Sequence, residues 1–156
     1  LEDRMETATS ATQVYQLFIK ATPEQVWDAI TKPELVAQYF HGARQESTYE
    51  VGTPIKSWSP DRSKLWGDNI VLESDPPKRL SHSWRSLYDE EMAAEEESRV
   101  TWEIEPQEGG YCKLTLVHDR LEGAPKTAAN VRGWQLILDG LKTLVETGKP
   151  LVESWG

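Results

Sequence analysis

An α+β fold, with a curved antiparallel sheet of about six to seven strands against a long C-terminal helix, is predicted by three observations. A short alternating run, QVYQLFIK, leads directly into ATPEQVWDAITKPELVAQYF, which carries two successive short-helix signatures. From Ala43 to Leu121 the apolar pattern has a period of two and is broken at regular intervals by turn residues. A strongly amphipathic stretch then runs from about Thr127 to Thr147 and stops at Gly148 and Pro150.

The elements follow in order. In Gln13 to Lys20, Val14, Gln16, Phe18 and Lys20 share one face and Tyr15, Leu17 and Ile19 the other, as in a half-buried strand. Thr22-Pro23-Glu24-Gln25 is a helix start: Thr22 can cap, Pro23 tolerates the first turn, and Gln25 completes a capping box. Val26, Trp27 and Ile30 fall on one face of that helix. Lys32-Pro33 ends it, because a residue before proline is pushed out of the α region. A second short helix through Leu35, Val36, Tyr39 and Phe40 closes at His41-Gly42. Turn signals at 52–54, 59–63, 75–78 and 108–110 then separate strands over about 43–50, 54–59, 65–74, 79–88, 98–106 and 111–121. Even spacing favours a meander in which each strand pairs with the next. In the closing helix Val131, Trp134, Ile137, Leu138, Leu141, Leu144 and Val145 form the apolar stripe, opposite Arg132, Gln135, Asp139 and Lys142. Gly133 and Gly140 eclipse on one edge of it, which implies either close approach of another segment or room for a ligand.

Composition narrows the function classes. The 156 residues fit one domain: 1–11 as a disordered terminus, 12–148 as the folded unit, 149–156 as a tail. Seventeen basic against 26 acidic residues give a net charge of −9, which argues against a nucleic-acid partner or an anionic membrane surface. No apolar run is long enough to span a bilayer, and no basic leader with an apolar core precedes the first strand. The single Cys112 leaves no internal disulfide and no multi-cysteine metal site, and a cytoplasmic location is expected. The segment at 89–98, DEEMAAEEES, holds six carboxylates without calcium-loop spacing and reads as a solvated hairpin tip. No nucleophile elbow, HExxH or glycine-rich phosphate loop occurs, so no catalytic residue, metal ligand or cofactor is assigned.

The anomaly is seven tryptophans beside two phenylalanines. Each tryptophan brings a large apolar face and one N–H that needs an acceptor, which suits an interior that is partly apolar and partly polar. Alternation places Leu80, His82 and Trp84 on one face opposite Arg79, Ser81, Ser83 and Arg85. It likewise groups Val100, Trp102 and Ile104, and Cys112, Leu114, Leu116 and His118. His82 and His118 therefore turn inward with apolar neighbours. They are either neutral imidazoles satisfied within the core or polar anchors for a ligand.

The strand–helix-pair–sheet–helix order, with ATPEQVWDAIT, the DPPKRL turn before SHSW, the LTLVHD strand and the GWQLILDGLKTLVE helix, resembles the START-like (SRPBCC, Bet v 1-type) superfamily. Within it the chain is most similar to the family named for the C-terminal domain of the activator of heat-shock protein 90 ATPase, over about residues 12–148. Tyr39 and Asn69 stand where such proteins often carry tryptophan and glycine. The resemblance implies a helix-grip fold with a cavity between sheet and helix, and no invariant catalytic set. The expected function is binding of a small apolar molecule, with Trp58, Trp66, Leu80, His82, Trp84, Trp102, Leu116, His118, Trp134 and Leu138 lining the cavity. The alternatives are a stress-response or co-chaperone-like module that meets a chaperone or regulator through the acidic 89–97 loop, and a cyclase- or hydrolase-type enzyme using His82 or His118 beside Arg85 or Asp119. Homodimerisation is compatible with each.

Overall fold

The structure, a computed structural model, describes residues 12–130 and 133–154. Seven antiparallel strands form one curved sheet in the order β1-β7-β6-β5-β4-β3-β2. They are β1 (Gln13–Ile19), β2 (Arg44–Glu46), β3 (Pro54–Trp58), β4 (Leu65–Asp75), β5 (Arg79–Trp84), β6 (Ser98–Gln107) and β7 (Tyr111–Asp119). Strands β2 to β7 are a meander, and β1 returns to pair with β7 at the edge. The proposed terminus at 1–11, Val131, Arg132 and Trp155 lie outside the described residues.

Two helices follow β1: α1 (Pro23–Thr31) and α2 (Pro33–Tyr39). The capping box at the start of α1 is complete, with Thr22 Oγ1 accepting from the Gln25 backbone N–H at 3.2 Å and Gln25 Oε1 accepting from the Thr22 N–H at 2.9 Å. Lys32 is extended and serves both as the C-cap of α1 and the N-cap of α2, the geometry that Pro33 imposes on it. The left-handed conformations of His41 and Gly42 end the second helix.

Four segments depart from the sequence expectation: β2 covers only 44–46 of the expected 43–50, β5 ends at Trp84 rather than at 88, and the acidic run and the closing helix differ as follows. The acidic run is not a bare hairpin tip. Asp89 caps a one-turn helix, α3 (Glu90–Ala93), and Met92 is buried. Glu95 then reaches across to accept hydrogen bonds from the backbone N–H groups of Lys126 and Thr127, at 2.7 and 2.9 Å, at the start of α4 (Pro125–Asn130). Carboxylates accepting helix N-terminal N–H groups are a low-cost way to satisfy donors that have no partner inside the helix. The expected closing helix is described as α4 and α5 (Gly133–Thr147) on either side of residues 131–132.

Helix α5 lies over β1 and β7. Trp134, Ile137, Leu138, Leu141 and Leu144 join Ile19, Leu114 and Leu116 in the core. Its C-terminal end is clamped to β1 by Lys142 Nζ, which donates to the Phe18 carbonyl at 2.6 Å, and by Glu146, which accepts from the Lys20 N–H at 2.8 Å. Cys112 is a buried core residue whose thiol donates to the Ala21 carbonyl, and burial pushes its pKa up.

The two glycines of α5 have different reasons to exist. A Cβ on Gly140 would sit 3.1 Å from Tyr39 Cβ, so here the α2–α5 crossing demands a hydrogen. A Cβ on Gly133 would meet nothing within 4 Å. Gly140→Val is therefore expected to cost about 1–3 kcal/mol despite removing a helix glycine, because overpacking outweighs the propensity gain. Urea denaturation checks this, and an unchanged midpoint would show that the crossing has slack.

Candidate functional site

Cross-strand register builds the inner face of the sheet in rows. Trp102 pairs with Leu80 on one side and Leu116 on the other, and Val100 stands between His82 and His118 in the next row. Helix α5 packs over β1 and β7, and its first turn brings Trp134 onto Trp84 of β5 and Trp102 of β6. A cavity of about 420 Å³ lies between the sheet, α1–α2 and the start of α5. That volume falls in the range of about 300–1,000 Å³ taken by small-molecule sites.

Aromatic rings dominate its wall. Trp134 is at the centre of the cluster, with ring centroids 5.2 Å from Trp84, 5.7 Å from Trp102 and 5.8 Å from Phe40. Trp66, Leu80 and His82 complete the sheet side, and Ile30, Val36 and Tyr39 the side of the small helices. Tyr39 is held by its hydroxyl, which donates to the Ala29 carbonyl at 2.8 Å, and burial raises its pKa. Tyr88 and Met92 line it from the 85–92 segment, and Thr127, Asn130 and Gly133 from α4 and α5.

Four of the expected lining residues stand elsewhere. Leu116 and His118 are fully buried in the sheet beneath α5, and Leu138, in α5 itself, is buried in the core rather than at the cavity. Trp58, at the end of β3 where its register with β4 shifts, is not in the cavity wall, which Ile55 and Ser57 of the same strand line. Trp66, Leu80, His82, Trp84, Trp102 and Trp134 are brought together in the wall. Arg85, placed on the outer face by alternation, lines the cavity instead, because β5 ends at Trp84 and the backbone turns there.

Both inward histidines are held neutral. For His82, Nδ1–H donates to the Ser83 carbonyl at 2.9 Å, while Nε2 accepts from the Trp102 indole N–H at 3.1 Å. For His118, Nδ1 accepts from the Trp134 indole N–H at 3.1 Å, and Nε2–H donates to Ser98 Oγ at 2.7 Å. A second ring proton on either imidazole would point at an indole N–H. Desolvation, opposed in part by the Ser83 carbonyl, lowers the His82 pKa to about 4. Desolvation, then the neighbouring His82, lowers that of His118 to about 4. With both nitrogens of each ring engaged by the protein, neither is disposed for proton transfer to a guest. Asp119 is paired through both oxygens with Arg99, away from the cavity.

Among the described residues no group of three or more His, Cys, Asp or Glu side chains is placed to hold a metal ion. No helix among the described residues is long and apolar enough to cross a membrane.

A curved antiparallel sheet with two small helices after β1, a closing helix and a cavity between them is the START-like, helix-grip arrangement. The chain belongs to the family described as Activator of Hsp90 ATPase homolog 1-like protein, whose profile matches residues 20–146. No curated protein matches it. Among solved structures, protein MLL2253 from Mesorhizobium loti is similar at 23% identity and a TM-score of 0.69, over 86% of this chain and 96% of that one. CalU16 from Micromonospora echinospora is similar at 23% identity and a TM-score of 0.68, over 91% and 78%. The Aha1 dimer from Colwellia psychrerythraea is similar at 20% identity and a TM-score of 0.67, over 88% and 98%. At these identities the likeness concerns the fold.

Proposed function

We propose that the chain binds a small apolar molecule, aromatic or lipid-like, in the cavity between the sheet and α5. The observation that supports this most is the open volume itself, walled by Trp66, Trp84, Trp102 and Trp134. A protein interior is normally close-packed, and unfilled apolar space forfeits dispersion contacts that a guest would restore. The acidic 89–97 segment gives less support to a protein-docking reading, because Asp89, Glu91 and Glu95 are engaged with Lys126 or Thr127.

The test is titration with an uncharged aromatic probe such as 1-aminoanthracene, read by quenching of tryptophan emission. Wild type is expected to show saturable quenching. Trp66→Ala, which removes one ring of the wall at a half-buried position, is expected to weaken binding about tenfold or more. A wild type that gives no saturable response to this or any apolar probe contradicts the proposal.

A further inference from the structure

Among the described residues the cavity wall holds one charged side chain, Arg85, in a protein whose net charge is −9. Arg85 spans from surface to interior, its side chain 37% exposed. The outer end is weakly engaged: Nη2 lies 4.0 Å from Glu97 Oε1. The inner end is not engaged at all. Arg85 Nε is buried and has no hydrogen-bond partner among the described residues. A buried N–H of a cationic group without an acceptor is costly, and interiors seldom keep one.

The Nε and Nη2 groups form one edge of the guanidinium, a two-pronged donor that matches the two oxygens of a carboxylate. This protein shows the pairing elsewhere: Arg99 donates from Nε and Nη2 to the two carboxylate oxygens of Asp119. In Arg85 the same edge has no comparable partner. The backbone that carries it is fixed, since the Arg85 N–H donates to Asn69 Oδ1 at 3.0 Å and Asn69 is itself buried. Asn69 thus stands beside the guanidinium's point of attachment, which gives the asparagine at this strand position a structural use.

Resting on the cavity-binding reading, we infer that the guest is an apolar monocarboxylate, its hydrocarbon or aromatic body among the tryptophans and its carboxylate on the Nε–Nη2 edge of Arg85. The carboxylate displaces the loose contact with Glu97 and supplies the acceptor that Nε lacks. A purely neutral hydrocarbon would leave Nε unpaired in an even drier site.

Calorimetric titration of the full chain with decanoate and decan-1-ol near neutral pH tests this, alongside Arg85→Met and Arg85→Lys. Wild type is expected to bind decanoate about tenfold or more tighter than decan-1-ol. Arg85→Met is expected to lose that preference while still binding decan-1-ol, and Arg85→Lys to recover only part of it, because an ammonium lacks the planar fork. Equal wild-type affinities for acid and alcohol, or a preference that survives Arg85→Met, would overturn the inference and leave the cavity reading intact. No binding of either compound by wild type, together with no response to the uncharged probe, would overturn both. The wild-type comparison alone decides the matter if a variant does not fold.

Discussion

Lowering the pH from about 7 to about 4.5 is expected to remove several kcal/mol of folding stability, most of it above about pH 5, where few carboxylates are protonated. The cause is the pair of buried imidazoles. In the folded chain His82 and His118 have pKa values of about 4, below the ordinary value of 6.5 that each regains on unfolding. Above pH 6.5 neither state binds the proton, and stability is independent of these groups. Between 6.5 and 4 only the unfolded chain takes up protons, so stability falls as pH falls. Below about 4 both states are protonated and the histidine contribution levels off. Each depression corresponds to roughly 3 kcal/mol, and since the two groups repel, their sum is an order-of-magnitude figure. The carboxylates held low by ion pairs or N–H donors, among them Asp119 and Glu95, add their own losses from about pH 5 downward, as the pH falls through their unfolded values. Urea denaturation from pH 7.5 to 4.5, with the imidazole proton resonances followed in parallel, checks the account. Resonances that titrate near 6.5 in the folded protein, or a flat stability profile over that interval, would show that the indole–imidazole pairs are not holding the rings neutral.

Replacing Trp134 is expected to be the most damaging single change in the wall. Its ring contacts Phe40, Trp84, Trp102 and His118, and its N–H is the donor that completes His118. Trp134→Ala is expected to cost about 3–5 kcal/mol through lost contacts and the enlarged void. Trp134→Phe keeps most of the apolar surface and removes only the donor, so about 1–2 kcal/mol is expected near neutral pH. The phenylalanine variant also relieves the opposition to a proton on Nδ1, and its His118 resonance is expected to titrate at higher pH than in wild type. Denaturant midpoints and that resonance separate the two effects. An alanine variant within about 1 kcal/mol of wild type would mean that the aromatic cluster contributes little.

The fold was legible because its signals are local. Thr22 and Gln25 announce the capping box, Lys32-Pro33 breaks the helix pair, and period-two alternation in 98–106 and 111–121 identifies the inner face correctly. What covers that face is not local information. Leu116 and His118 alternate inward as surely as Leu80 and His82, yet one pair lies under α5 and the other at the cavity, a difference set by where the helix crosses. Arg85 escaped because alternation holds only while the strand continues, and β5 stops one residue earlier. Met92 did leave a trace: a large apolar residue within six carboxylates is the mark of a segment that docks one side chain inward. Gly133 and Gly140 look alike in sequence, and only the position of Tyr39 tells them apart.

The most direct test is the set of tryptophan indole N–H signals in a two-dimensional ¹⁵N–¹H spectrum, recorded as an apolar guest is added. If the volume beside α5 is the binding site, the signals of Trp66, Trp84, Trp102 and Trp134 shift together and saturate, while that of Trp58, which does not line the cavity, stays in place. If those four remain unmoved at saturating guest, or Trp58 shifts as much as they do, the cavity is not the site.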